Sequence, residues 1–423
     1  MYKNTSRTLA VLAASTLLFS ACKKDNEPAK TSSTITIENV LNSKSLVESG
    51  VFGTSPLPPD QSISFSFYAG KGQFLTFASM YGWSNDLFFA PANPGIKLYN
   101  DDGSPATGDV SSQIKLWDNG TRVNQAPGAN VTHPGVAEVS TKAIKEVSGM
   151  DDYGNAYLPA SQLMNVSLVY NGNSQFTLTI TNKSKGTANE TPFSPGAWAI
   201  SHLAGSNLVM PAPIYTVNQL STNGLTKIAE MGNPADVNTY LMSNTGTFTG
   251  LSPVLVVVYQ GIENPFYKVG EADRGQGLKY IAQMGNADSL ASVLKMKAGV
   301  KNVYVLKDPT TNGPLLPIIG DAAGGKVSQL LSLETGDKIA IATMFGASSD
   351  WFFATKEGDI GGFTKGDVSR SIGLYDDGTA VDQFPGANIR PAPVENKPIQ
   401  PLANPNSYTT LPAITDIIKV TLQ

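Results

Sequence analysis

The feature that most constrains this chain is that it repeats itself. The stretch Phe77-Ala78-Ser79-Met80-Tyr81-Gly82-Trp83-Ser84-Asn85-Asp86-Leu87-Phe88-Phe89-Ala90 returns as Ile341-Ala342-Thr343-Met344-Phe345-Gly346-Ala347-Ser348-Ser349-Asp350-Trp351-Phe352-Phe353-Ala354. Further on, GDVSSQIKLWDNGTRVNQAPGAN from Gly108 returns as GDVSRSIGLYDDGTAVDQFPGAN from Gly366. Two matched blocks in the same order mean that one structural unit occurs twice. Between them lies another pair: Gly224-Leu225, Ile228-Ala229 and Met231-Gly232-Asn233 recur as Gly277-Leu278, Ile281-Ala282 and Met284-Gly285-Asn286, following Ser194-Pro195 and Ser252-Pro253 respectively.

Local periodicity says what the unit is made of. Ile63, Phe65 and Phe67 alternate with serines, and Phe176, Leu178 and Ile180 with threonines, the period of two that buries one face of a strand. Asn100-Asp101-Asp102-Gly103, Asp118-Asn119-Gly120 and Asp376-Asp377-Gly378 punctuate such runs as turns. Leu278, Ile281, Leu290, Val293 and Leu294 have helical spacing, broken near Gly285, so short helices are expected over 224–243 and 277–298. The expected fold is mostly β: tandem antiparallel β-sandwich domains, with the short helices in the second. The polar, Pro-containing stretch TITNKSKGTANETPFSP suggests a boundary near residues 171–190, giving a shortened first domain over 35–174 and a fuller second one over 175–423. The strand around Phe176–Ile180 is expected to complete the first sandwich.

The first 30 residues carry a different signal. Lys3 and Arg7 precede an apolar run of 13 residues, Leu9 to Ala21, short of the roughly 20 that span a bilayer as a helix. Residues 1–21 therefore read as a signal peptide. Phe19-Ser20-Ala21-Cys22 resembles a lipobox, in which the cysteine is acylated; Cys22 is the only cysteine in 423 residues, which suits an oxidising compartment. The alternative is an ordinary signal peptide beside an incidental thiol. Residues 22–34 are charged and lack apolar periodicity, the pattern of a flexible tether. These features point to a bacterial cell-envelope lipoprotein, held through acylated Cys22 in the outer membrane and facing the periplasm or the surface.

The blocks around Asp86 and Asp350, with Asp118-Asn119-Gly120-Thr121 and Asp376-Asp377-Gly378-Thr379 downstream, resemble the spondin N-terminal domain of F-spondin, mindin and bacterial secreted proteins. That family combines a Ser-Pro segment, a GL-x-x-IAE-x-G helix, an S-N-D-aromatic turn and a D-x-G-T loop. Residues from about 175 onward carry all four parts in order, and residues 35–174 only the last two. The resemblance implies C2-like β-sandwiches, attachment to matrix or cell surface, and a calcium site whose ligands fall on Asp86 and Asp118 in the first copy and Asp350 and Asp376 in the second. This chain departs from the pattern with Arg122 and Ala380 after the D-x-G-T, where the family often has an acid, and with AEMG and AQMG for AEDG. Fewer carboxylates imply weak calcium binding, on the order of 10⁻⁴ to 10⁻³ M.

The residues alone leave two readings of these loops open. Asp-Gly loops are also ordinary hairpin turns. Asp86 and Asp350, set between apolar strands and paired phenylalanines, need partners, and either a cation or backbone N–H groups would serve. Phe88, Phe89, Phe352 and Phe353 read as core, while Trp83 and Trp351 occupy non-equivalent positions in the two copies.

A net charge of −4 without a basic stripe argues against nucleic acid. With only His133 and His202, and no H-E-x-x-H, G-x-S-x-G or P-loop, no catalytic residues are assigned and an enzyme is not expected. The leading expectation is an extracytoplasmic binding or adhesion lipoprotein engaging a matrix component, glycan or surface protein, with calcium as cofactor. The alternatives are a structural envelope lipoprotein within a larger assembly and a carboxylate-based hydrolase.

Overall fold

The computed structural model describes Met1 and residues 30–423 apart from residue 359. The expected signal segment, Cys22 and most of the tether lie outside the described residues. Among those described, no helix is long and apolar enough to cross a membrane.

The protein is mostly β, and its strand ladders are antiparallel. Four larger sheets form two halves. In the first half a four-stranded outer sheet runs in the order Ser62–Tyr68, Gln175–Asn182, Met164–Gly172, Gly108–Asp109. It faces a central sheet in the order Leu46–Phe52, Phe193–Ser201, Phe74–Tyr81, Leu87–Pro91, Ile114–Asp118, Lys145–Glu146, with Ile96–Lys97 added beside Phe74–Tyr81. In the second half the outer order is Lys326–Leu333, Thr31–Asn39, Ile418–Leu422, Gly366–Asp367. Its central sheet runs Val300–Leu306, Val254–Tyr259, Lys338–Met344, Trp351–Thr355, Ile372–Asp376, Gln400–Pro401.

Each half has three layers, and the sequence patterns follow from that. Outer strands bury one face, so they alternate: Ile63, Phe65 and Phe67 stand opposite Ile180, Leu178 and Phe176 on the core side. On the solvent side Ser62, Ser64 and Ser66 bond to Thr181, Thr179 and Thr177 at 2.8, 2.8 and 2.9 Å. Central strands are covered on both faces and read as unbroken apolar runs. In Val254–Tyr259, Val254, Val256 and Val258 enter the sandwich core while Leu255, Val257 and Tyr259 face the helices. The helix layer is Leu225–Met231 with Ala235–Ser243 over the first half, and Leu278–Met284 with Asp288–Leu294 over the second. Gly232 and Gly285 end the first helix of each pair in the left-handed conformation that glycine adopts without strain.

Three expectations need correcting. The helices are not confined to the second half: Leu225, Ile228, Ala229, Val237 and Leu241 pack on Ala78, Phe88, Ala197 and Ala199 of the first half's central sheet. Residues 171–190 are not a boundary, because Gln175–Asn182 and Phe193–Ser201 both pair inside the first half. The polar stretch between them is the corner where the chain passes from outer to central sheet, and such corners are polar for the same reason linkers are. The first half thus carries all four motifs. Finally, Thr31–Asn39 belongs to the second half, between Lys326–Leu333 and Ile418–Leu422. The halves are further joined by Tyr68, Phe384 and Tyr408, with Tyr68 and Phe384 stacked at 4.9 Å between ring centroids, and by Phe384 and Ala387, which enter the first half's core.

Candidate metal centre

Asp86 and Asp350 occupy the same turn in the two halves, and the same hydroxyl holds it. Ser84 Oγ donates to Tyr81 O at 2.7 Å and accepts from Leu87 N at 3.1 Å. Ser348 Oγ donates to Phe345 O at 2.8 Å and accepts from Trp351 N at 2.9 Å. This brings each carboxylate beneath the D-x-G-T loop of the neighbouring strand, where Leu87 pairs with Asp118 and Trp351 with Asp376. Gly120 and Gly378 must be glycine: at φ of +74° and +67°, an added Cβ would lie 2.4 Å from the carbonyl oxygen of Lys142 or Lys397.

One carboxylate oxygen in each turn has backbone partners. Asp86 Oδ2 accepts from Thr121 N at 2.7 Å, Thr121 Oγ1 at 2.9 Å and Arg122 N at 2.9 Å. Asp350 Oδ2 accepts from Thr379 N at 2.8 Å, Thr379 Oγ1 at 3.2 Å and Ala380 N at 2.8 Å. The other oxygen, Oδ1, is buried in both residues and has no hydrogen-bond partner among the described residues. Burial is the main reason both carboxyls are pushed up to about 7, helped by the charge of Asp118 on Asp86 and of Asp376 on Asp350.

Beyond this shared frame the halves diverge. Around Asp350, carboxylate oxygens of Asp350, Asp376 and Asp382 lie within 4.8 Å of one another. Two oxygens on one calcium, each at roughly 2.3–2.6 Å, are no more than about 5 Å apart, so this spacing fits the ion. Asp377 lies beside them, fully buried, with Oδ1 unpartnered among the described residues and its carboxyl pushed up to about 8, chiefly by burial. Asp376 is pushed up to about 6, and Asp382 is raised as well, in both cases first by burial. Trp351 Nε1 donates to Asp382 Oδ1 at 2.5 Å and fixes its position.

In the first half the matching positions are Asn119 and Asn124. Asn124 Nδ2 donates to Asp118 Oδ2 at 2.8 Å, an amide where the second half has a carboxylate. Arg122 adds a guanidinium, which pairs with Glu230 of the helix at 2.7 Å. Of the four aspartates expected as metal ligands, Asp350 and Asp376 are therefore joined by a third, and Asp86 and Asp118 are not, among the described residues. Asp382 and Asp377 are both visible in the repeat, as two of the three places where DNGTRVN becomes DDGTAVD, the third being Arg122 against Ala380.

The other candidate residues are structural or peripheral. Phe88, Phe89, Phe352 and Phe353 are fully buried core, and Trp351 is buried while Trp83 is half-buried. His202 is buried with Nε2 2.7 Å from Gly246 O, and His133 is exposed.

No family model matches the chain, and no curated protein matches it in sequence.

Proposed function

We propose that this chain is an envelope-anchored binding lipoprotein, held through Cys22, whose second half takes up calcium at Asp350, Asp376 and Asp382. On this reading it is a divergent relative of the spondin N-terminal proteins that displays its loops to a matrix component, glycan or surface protein. The observation that carries the reading is Asp350 Oδ1: a buried carboxylate oxygen without a partner among the described residues, beside two further carboxylates at calcium spacing. Carboxyls raised to about 6 and 7 for Asp376 and Asp350 belong to a cluster short of positive charge, which a divalent cation would supply. Binding would then displace protons, and occupancy would depend on pH. Two carboxylates in the first half, with Asn119, Asn124 and Arg122 around them, make a poorer site, so one ion per molecule is expected.

Calorimetric titration of the protein from residue 30, which contains every described strand, tests this. Expected are one site with Kd on the order of 10⁻⁴ to 10⁻³ M, its loss in a folded Asp350→Asn variant, and its retention in Asp86→Asn. Absence of saturable heat at millimolar calcium would reduce both loops to turns.

A further inference from the structure

Two cavities occupy the same place in the two halves, and the motifs that line them are those the metal reading leaves unused. In the first half a cavity of about 650 Å³ is walled by Met80, Gly82, Ser194, Pro195, Met231 and Gly232. In the second a cavity of about 570 Å³ is walled by the matching Met344, Gly346, Ser252, Pro253, Met284 and Gly285, and also by Gln73, His202 and Leu203 of the first half. Both volumes fall in the range of small-molecule sites, roughly 300–1,000 Å³. The construction is the same. Met80 N donates to Ser194 Oγ at 2.8 Å, and Met344 N to Ser252 Oγ at 2.9 Å. A Cβ on Gly232 would stand 2.7 Å from Ser194 Cβ, and one on Gly285 2.8 Å from Ser252 Cβ, so each helix end closes on its Ser-Pro segment only through glycine.

What differs is the group presented at the residue before a proline: His133 before Pro134 in the first cavity, Arg390 before Pro391 in the second. The hydrogen bonds of Arg390 run through Nη2, to Gly346 O at 2.6 Å and Ser348 O at 3.0 Å, with a contact to Met344 Sδ at 3.8 Å. Among the described residues Nε and Nη1 have no partner, Arg390 has no ion pair, and its side chain is open to solvent. Lys71 also lines this cavity as a second, exposed cation. The rest of the wall includes Leu203, Leu316, Met284 and Met344, apolar and, for the methionines, adaptable in shape. A guanidinium edge in an open cleft with apolar side chains along its wall suits a planar monoanion on an apolar body, since guanidinium and carboxylate match in a two-bond pair.

We propose that the second-half cavity is a binding site for a small organic carboxylate with an apolar tail, anchored by Arg390 and flanked by Met284, Met344 and Leu316. The site is separate from the aspartate cluster and requires no metal.

The test uses hexanoate, with hexanamide as its neutral match, on the protein from residue 30, read by saturation-transfer NMR and calorimetry. Hexanoate is expected to bind at about 1 mM and about tenfold or more tighter than hexanamide. Arg390→Gln, shown to be folded by its thermal transition, should abolish that preference. Leu316→Trp, a substitution at a partly exposed wall position, should weaken both probes by filling the chamber. Equal binding of the two probes, a preference that survives Arg390→Gln, indifference to Leu316→Trp, or no transfer to hexanoate at about 10 mM, ten times the expected Kd, would each overturn the proposal.

Discussion

In the first half the residue after Thr121 is Arg122, and its guanidinium reaches Glu230; in the second the same place holds Ala380, and the residue matching Glu230 is Gln283, whose Nε2 donates to Thr379 Oγ1 at 2.9 Å. The first half also has amides at 119 and 124 where the second has carboxylates at 377 and 382. Both halves bury an aspartate with one oxygen that has no partner among the described residues, so both face the same electrostatic cost. The first meets it with a covalent cation and fewer acids. The second gathers acids and, on the calcium reading, draws its positive charge from outside. Duplication here preserved a backbone while releasing its charges to change.

The sharpest way to break this comparison is to convert one loop into the other. Arg122→Ala, Asn119→Asp and Asn124→Asp together should raise calcium stoichiometry from one to two, while Asp382→Asn should weaken the native site about tenfold or more, both by calorimetry. A converted first half that takes up no calcium would show that the carboxylate count is not what separates the halves.

Next in size is the ion pair itself. The Glu230 side chain is only 7% exposed and that of Arg122 23%, so Glu230→Gln leaves a largely desolvated guanidinium without its acid. Urea unfolding should show a loss of about 1–3 kcal/mol, below the range for fully buried pairs because Arg122 keeps some solvent.

The pH dependence should follow the acids. A carboxyl raised in the folded state favours folding while it keeps its proton there, so that contribution is lost as pH rises through the folded value. Asp350 at about 7 and Asp377 at about 8 act in this direction, as do Asp86 and Glu48 at about 7. His202, lowered to about 4 by burial, acts oppositely, but only below its ordinary value of 6.5. Without calcium, stability should therefore fall by about 2–4 kcal/mol from about pH 6.5 to 8. Asp377→Asn, the first half's solution, should reduce that slope, and calcium should flatten it further; thermal melts across the range check both. Smallest of all, Gln283→Ala removes one neutral hydrogen bond and should cost about 0.5–1 kcal/mol, against the larger loss for Glu230→Gln.

The alternation in Ile63–Phe67 and Phe176–Ile180 announced the outer sheets, because a strand with one wet face must alternate. The double-faced burial of Val254–Tyr259 left only an apolar run, which does not say what lies on each side. The repeat contained the asymmetry of the aspartate cluster, since Asn119 and Asn124 stand against Asp377 and Asp382, but identifying its third carboxylate required knowing that Asp382 turns back toward Asp350. The domain boundary was misplaced because a polar corner within one sandwich has the composition of a linker. The pairing of Thr31–Asn39 with strands near the other end of the chain left no local trace at all, since register between distant strands is set by packing, not by neighbours in sequence.

That pairing governs the order in which the protein can be made. Residues 31–39 are synthesised early, yet their partners are residues 326–333 and 418–422. The second half's outer sheet therefore waits until residues 418–422 have been made, the kind of long-range closure that folds slowly. A chain stalled before residue 418 would leave one edge of this strand unpaired, an open template for aggregation and a mark for chaperones and proteases. The outer sheet is thus closed only by Ile418–Leu422, so a product cut short before that strand advertises itself.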